Sequence, residues 1–115
     1  MTNKSYNEMN KKQRELGLAF RESSTDTMNA FINLSKTAMA DGALSTKAKE
    51  LTAVSIGIVM RCDNCIAAHV RAALKAGATR EELIETINVA IMMGGGPAVT
   101  YAIQALEAVD ELASV

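Results

Sequence analysis

Cys62, Cys65 and His69 are both thiols and the one imidazole of a 115-residue chain, and they fall within the eight residues "CDNCIAAH". Positions i, i+3 and i+7 share one face of a helix, so the three side chains can act as a group. Two thiols at Cys-x-x-Cys spacing near a helix start can close a disulfide without unfolding the backbone, the arrangement that redox dithiols use. Cys62 lies nearer the helix start, where unpaired N–H groups and the helix dipole favour an anion and lower a thiol pKa. His69, one turn beyond Cys65, can accept a thiol proton or hold a thiolate. Two other chemistries fit the same residues. Cysteines on an Ala-rich helix can be plain core, with the histidine packed beside them. A structural zinc site usually takes four ligands, so two Cys and one His would have to be completed by a carboxylate or across a symmetric interface.

These residues need helices to position them, and the sequence offers about six. Residues 5–22 read as a polar, exposed helix with apolar points at Met9, Leu16, Leu18 and Phe20 and a frayed start. "SST" at 23–25 offers an N-cap for a helix over 26–39 that carries Met28, Phe31, Ile32 and Leu34. Gly42 marks a break, and Ser45 caps a third helix over 46–60. That helix starts charged and ends wholly apolar in "AVSIGIVM", which predicts burial all round for its second half. After the junction at Arg61–Asp63 a fourth helix carries the cysteines and the histidine and ends at Gly77. "TREE" at 79–82 is a capping box, with Thr79 as N-cap and Glu82 at the third helical position. The fifth helix, 80–93, is expected to bury Leu83, Ile84, Ile87, Ala90 and Ile91. "GGGP" at 94–97 breaks it, and Pro97 suits the first turn of a sixth helix over 97–112. No alternating strand pattern appears, so the fold class is all-α, a helical bundle forming one domain over 1–115.

Composition agrees. The chain is 49% hydrophobic with two Phe, two Tyr and no Trp, so Ala, Met, Leu and Ile supply the apolar surface. Small side chains bury less area per residue within one subunit and let subunits approach closely, which favours a homo-oligomer. The net charge of −1, from 12 basic and 13 acidic residues, gives no basic excess for nucleic acid. The start "MTNKSYNEMNKKQREL" lacks the apolar stretch of a secretory signal. The charge-free run "LTAVSIGIVM" is too short to cross a bilayer. The expected location is the cytoplasm, where two cysteines are catalytic, redox-active or metal-binding rather than structural.

Glu50, then eleven residues, then Cys62-Asp63-Asn64-Cys65-Ile66-Ala67-Ala68-His69, resembles the core motif of the alkylhydroperoxidase D-like proteins of the carboxymuconolactone decarboxylase superfamily. The downstream stretch, with its helix end at Ala-Gly-Ala, its Thr-x-x-Glu restart and its small-residue break, is also similar. The resemblance spans about residues 35–112. It implies an all-helical bundle with thiol peroxidase chemistry and no bound cofactor or metal. By resemblance, Cys65 is the peroxidatic thiol, Cys62 resolves it to a disulfide, and Glu50 and His69 relay protons. Position on the helix puts the lower thiol pKa on Cys62, so the two assignments agree only if His69 outweighs the dipole at Cys65. The implied partners are a hydroperoxide substrate, an external dithiol or protein reductant, and further copies of the chain in a trimer or hexamer.

Asn64 departs from the pattern. Some relatives with peroxidase relays carry a histidine there, and asparagine cannot carry a proton at neutral pH. The expected relay is therefore shorter. The decarboxylase branch generally lacks the cysteine pair, which disfavours it here; a lactone enzyme using Glu50 and His69 as acid and base stands as an alternative, beside a dithiol relay without peroxidase activity and a non-enzymatic metal-binding or assembly subunit. Met60, Met92 and Met93 are expected as flexible core filler, with an apolar substrate pocket as the competing role. "KKQRE" at 11–15 reads as a solvated helical face.

Overall fold

The computed structural model describes residues 5–115. Six helices follow in order: α1 (Tyr6–Ser23), α2 (Thr25–Met39), α3 (Thr46–Val59), α4 (Asp63–Lys75), α5 (Arg80–Gly94) and α6 (Gly96–Leu112). All six coincide with the helices expected from the sequence. The stop and start signals explain why. Ser45 Oγ accepts from the Ala48 N–H at the start of α3. Thr79 and Glu82 form the reciprocal capping box of α5. Pro97 lies in the first turn of α6.

α3 to α6 pack on one another and make the core. α3 lies against α4, α5 and α6, while α4 and α5 both pack on α6. Val54, Ile58, Ile66, Val70, Leu83 and Val109 are fully buried among them. Ala73, Ala90, Ala98, Ala102, Ala105 and Ala108 fill the closest approaches. Two polar links tie the helices at their rims: Lys47 Nζ to Glu82 Oε2 at 3.0 Å, and Arg80 Nε to Asp110 Oδ1 at 2.8 Å.

α1 and α2 depart from this pattern. The first turns of α1, expected to fray, are its anchored part. Tyr6 is fully buried, and the Glu111 carboxylate of α6 accepts from Ser5 Oγ, Tyr6 N–H and Asn7 N–H at 2.9, 2.9 and 3.0 Å. A carboxylate there satisfies donors that a helix start leaves open and complements the dipole. Burial opposes ionisation of Glu111, but these donors outweigh it and hold the carboxyl below its ordinary range. One turn on, buried Asn10 donates from Nδ2 to the Ala67 carbonyl of α4 at 3.0 Å. Beyond Asn10 the picture reverses. Lys11 to Glu15 are exposed, as expected for a solvated face, but so are the apolar points Leu16, Leu18 and Phe20, and α2 buries no residue at all.

α3 also corrects an expectation. Its apolar second half is not buried all round: Val54, Gly57 and Ile58 are, whereas Ile56, Val59 and the following Met60 are exposed. Met60, Met92 and Met93 are 71%, 72% and 70% exposed, so they are not core filler. In α5, Leu83, Ile87 and Ala90 are buried as expected, while Ile84 and Ile91 are half-buried. Among the described residues no helix is long and apolar enough to cross a membrane.

Candidate active site

α3 and α4 form an antiparallel helical hairpin, and the site lies between them. α3 ends in a turn in which the Arg61 N–H donates to the Ile58 carbonyl at 3.1 Å and the Cys62 N–H to the Gly57 carbonyl at 3.0 Å. This 6→1 and 5→2 pair is a Schellman stop, which requires a left-handed residue. Arg61 takes that role with φ of 57°. The chain reverses there, and Cys62 becomes both the last residue of one turn and the N-cap of the next helix. Its Sγ accepts from the Cys65 N–H at 3.2 Å.

Cys62 and Cys65 are joined in a disulfide, with Cα atoms 5.2 Å apart. Both residues are half-buried, so neither is sealed within the core. His69 follows one turn after Cys65 on α4. Its Nδ1 lies 2.7 Å from Oε1 of Glu50, which reaches across from the first turns of α3. The Glu50 side chain is 11% exposed and that of His69 35%. An ionised Glu50 accepting from Nδ1–H fixes the imidazole tautomer and leaves Nε2 with its lone pair as a base. The antiparallel hairpin thus brings the four residues singled out in the sequence onto one helix pair. Two of them, Glu50 and His69, are in direct hydrogen-bond contact, and two are covalently joined.

Asn64 is exposed and outside the Glu50–His69 pair. Met60 and Met93 line an apolar cleft of about 250 Å³ between α3 and α5 with Ile56, Val59 and Val89, and no site residue borders it. Among the described residues no group of three or more His, Cys, Asp and Glu side chains could hold a metal ion.

A family model for the carboxymuconolactone decarboxylase family matches residues 25–108. The chain belongs to that family. An uncharacterised protein of Cupriavidus necator is 40% identical over 99 residues, covering 86% of this chain and 87% of that one. A protein of the cox locus of Paracoccus denitrificans, also uncharacterised, is 44% identical over 84 residues, covering 73% and 76%. Among solved structures, a family member from Legionella pneumophila superposes with a TM-score of 0.91 at 39% identity, covering 94% of this chain and 96% of that one. A Thermotoga maritima family protein, for which a part in the antioxidative response has been suggested, gives a TM-score of 0.83 at 29% identity, covering 93% and 91%.

Three residues close to the site escaped the sequence reading. Asn10, in a helix that reads as polar and exposed apart from a few apolar points, carries no sequence signal for its bond to Ala67. Tyr6 lies against α4 and α6, and its buried phenol is pushed up to about 12 by burial first and then by Glu107, Asp63 and Glu111. It therefore stays neutral. Gly57 carries a signal that could have been read: a lone glycine inside an apolar helical run marks a close backbone approach.

Proposed function

We propose that the protein is a thiol-dependent peroxidase that reduces organic hydroperoxides through a Cys62–Cys65 dithiol–disulfide cycle. The observation that carries this reading is the half-buried disulfide at the start of the helix whose His69 is held by Glu50 at 2.7 Å. In the reduced chain, His69 takes the proton of the Cys65 thiol. The thiolate attacks the outer oxygen of the hydroperoxide, an S–O bond forms and the O–O bond breaks. The leaving alkoxide takes the proton from the imidazolium and departs as the alcohol. Glu50 stabilises the imidazolium while it exists. Cys62 then attacks the Cys65 sulfenic acid, and the expelled hydroxide takes the Cys62 proton to leave as water. An external dithiol, free or on a partner protein, reduces the disulfide and is itself oxidised. No bound cofactor enters the balance, and the chemistry suits the reducing cytoplasm.

Cys65→Ser tests the peroxidatic assignment: the variant should lose hydroperoxide reduction by at least about 100-fold, because an alcohol does not replace a thiolate nucleophile. Parental rates in that variant would reject the assignment.

The active form is a homo-oligomer, a trimer or hexamer. Exposed Leu16, Leu18, Phe20, Phe31 and Leu34 support this, since a helix such as α2 that buries nothing has no tertiary packing to hold it. Light scattering of the purified chain at working concentration should give a mass of three or six chains, and a monomer would reject it.

A second reading is favoured by the family match itself. Glu50 and His69 could act as acid and base on a lactone without the sulfurs. Turnover of such a substrate at full rate with both thiols blocked would support it over the peroxidase.

A further inference from the structure

Gly57 touches both cysteines of the bridge through different atoms. Its carbonyl accepts the Cys62 N–H at 3.0 Å, which closes the turn that makes Cys62 the N-cap of α4. Its Cα faces Cys65. A Cβ built at Gly57 would lie 3.3 Å from the Cys65 Cβ, 3.6 Å from the Ile66 nitrogen and 3.7 Å from the Cys65 carbonyl carbon. The first of these is tighter than ordinary van der Waals contact. Glycine in a helix interior is disfavoured relative to alanine, and Gly57 is buried inside α3. The neighbouring Val54 and Ile58 show that larger side chains pack at adjacent positions of the same helix. The missing side chain at 57 lets α3 seat against the first turn of α4 where Cys65 sits.

We propose that Gly57 is a positioning residue for the dithiol, setting how readily Cys62 and Cys65 close their bridge. It rests on the reading of the pair as redox-active. The disulfide ties Cys65 to a Cys62 that is itself fixed by the Gly57 carbonyl, so the closed form yields less readily to an intruding methyl. In the dithiol form the S–S bond is gone, and the first turn of α4 can shift away. A side chain at 57 therefore penalises the disulfide more than the dithiol.

The test is the exchange equilibrium with dithiothreitol, in which a reductant thiolate attacks one sulfur, the Cys62–Cys65 bond breaks, and the second reductant thiol closes oxidised dithiothreitol. Gly57→Ala should move this equilibrium toward the protein dithiol by about tenfold, the usual scale of overpacking a tight contact. Val54→Ala, which opens a cavity about one turn back in the same helix without adding a side chain against Cys65, should lower the melting temperature and leave the equilibrium within about twofold. The inference fails if Gly57→Ala leaves the equilibrium unchanged, or if Val54→Ala shifts it equally. It fails too if Gly57→Ala does not fold in either redox state, because the clash would then be with the bundle rather than the bridge. The equilibrium needs no peroxide. A parent that exchanges with dithiothreitol but does not reduce hydroperoxide would therefore sink the proposed activity and leave this inference standing.

Discussion

α3 and α4 end in the same turn and use it for different ends. After α4, the Gly77 N–H donates to the Leu74 carbonyl and the Ala78 N–H to the Ala73 carbonyl at 3.0 and 2.9 Å, with Gly77 at φ of 98°. After α3 the same two bonds close around Arg61 at φ of 57°, and the residue in the place of Ala78 is Cys62. At the first site glycine takes the left-handed position without strain and a buried alanine follows, which is a device for stopping a helix. At the second an arginine accepts the strain of that conformation, of the order of 1 kcal/mol, and the turn delivers a sulfur to the start of the next helix. One backbone geometry serves the fold alone in one place and the fold plus the candidate chemistry in the other.

The comparison breaks most sharply at the residue that follows each turn. Cys62→Ala should reduce steady-state hydroperoxide turnover by about 100-fold or more while Cys65 still reacts once, because the sulfenic acid has no partner to close on. A change at Ala78 should touch stability only. Peroxide-driven kinetics of Cys62→Ala and Ala78→Ser read the contrast. Next in size is Glu50→Gln. Gln cannot stabilise an imidazolium, so turnover should drop by about 10- to 100-fold with little change in melting temperature. An equal loss in stability and activity would make Glu50 a packing residue.

Smaller effects separate the anchor of α1 from the hairpin. The Glu111 carboxyl is held below its ordinary range by its three donors, so its folded-state pKa lies under the unfolded value. The stabilisation is complete above the unfolded value, near about 4.3, and is lost as pH falls through the folded one. Thermal melts should show a loss on acidification that Glu111→Ala removes, with a deficit of about 1–2 kcal/mol in that variant at neutral pH. Smallest are the turns themselves. Gly77→Ala should cost about 1 kcal/mol in a denaturant titration, whereas Arg61→Gly should be neutral or stabilising by less than about 1 kcal/mol. Equal signs at the two positions would show that the turns are not equivalent.

The helices were legible because their punctuation is local. Ser45, Thr79 with Glu82, Gly77 and Pro97 each act on the backbone within a few residues, and each sits where its chemistry says a helix begins or ends. The dithiol and His69 were legible for the same reason, since i, i+3 and i+7 need only one helix. Glu50 was placed by resemblance, because pairing it with His69 takes the antiparallel return of α4 along α3. Burial was the least legible property. Met60, Ile56 and Phe20 are apolar and exposed, while Asn10 is polar and buried, because which face of a helix meets a neighbour depends on packing that no single segment encodes. The anchored start of α1 depends on Glu111, 105 residues from Tyr6 along the chain.

The account turns on whether the two sulfurs exchange electrons with a peroxide. The reduced chain should be treated with one equivalent of cumene hydroperoxide, and native thiols and cumyl alcohol counted together. Two titratable thiols per chain should fall to none as one alcohol appears, and dithiothreitol should restore both. Two thiols still present beside intact hydroperoxide, with the chain folded, would contradict it.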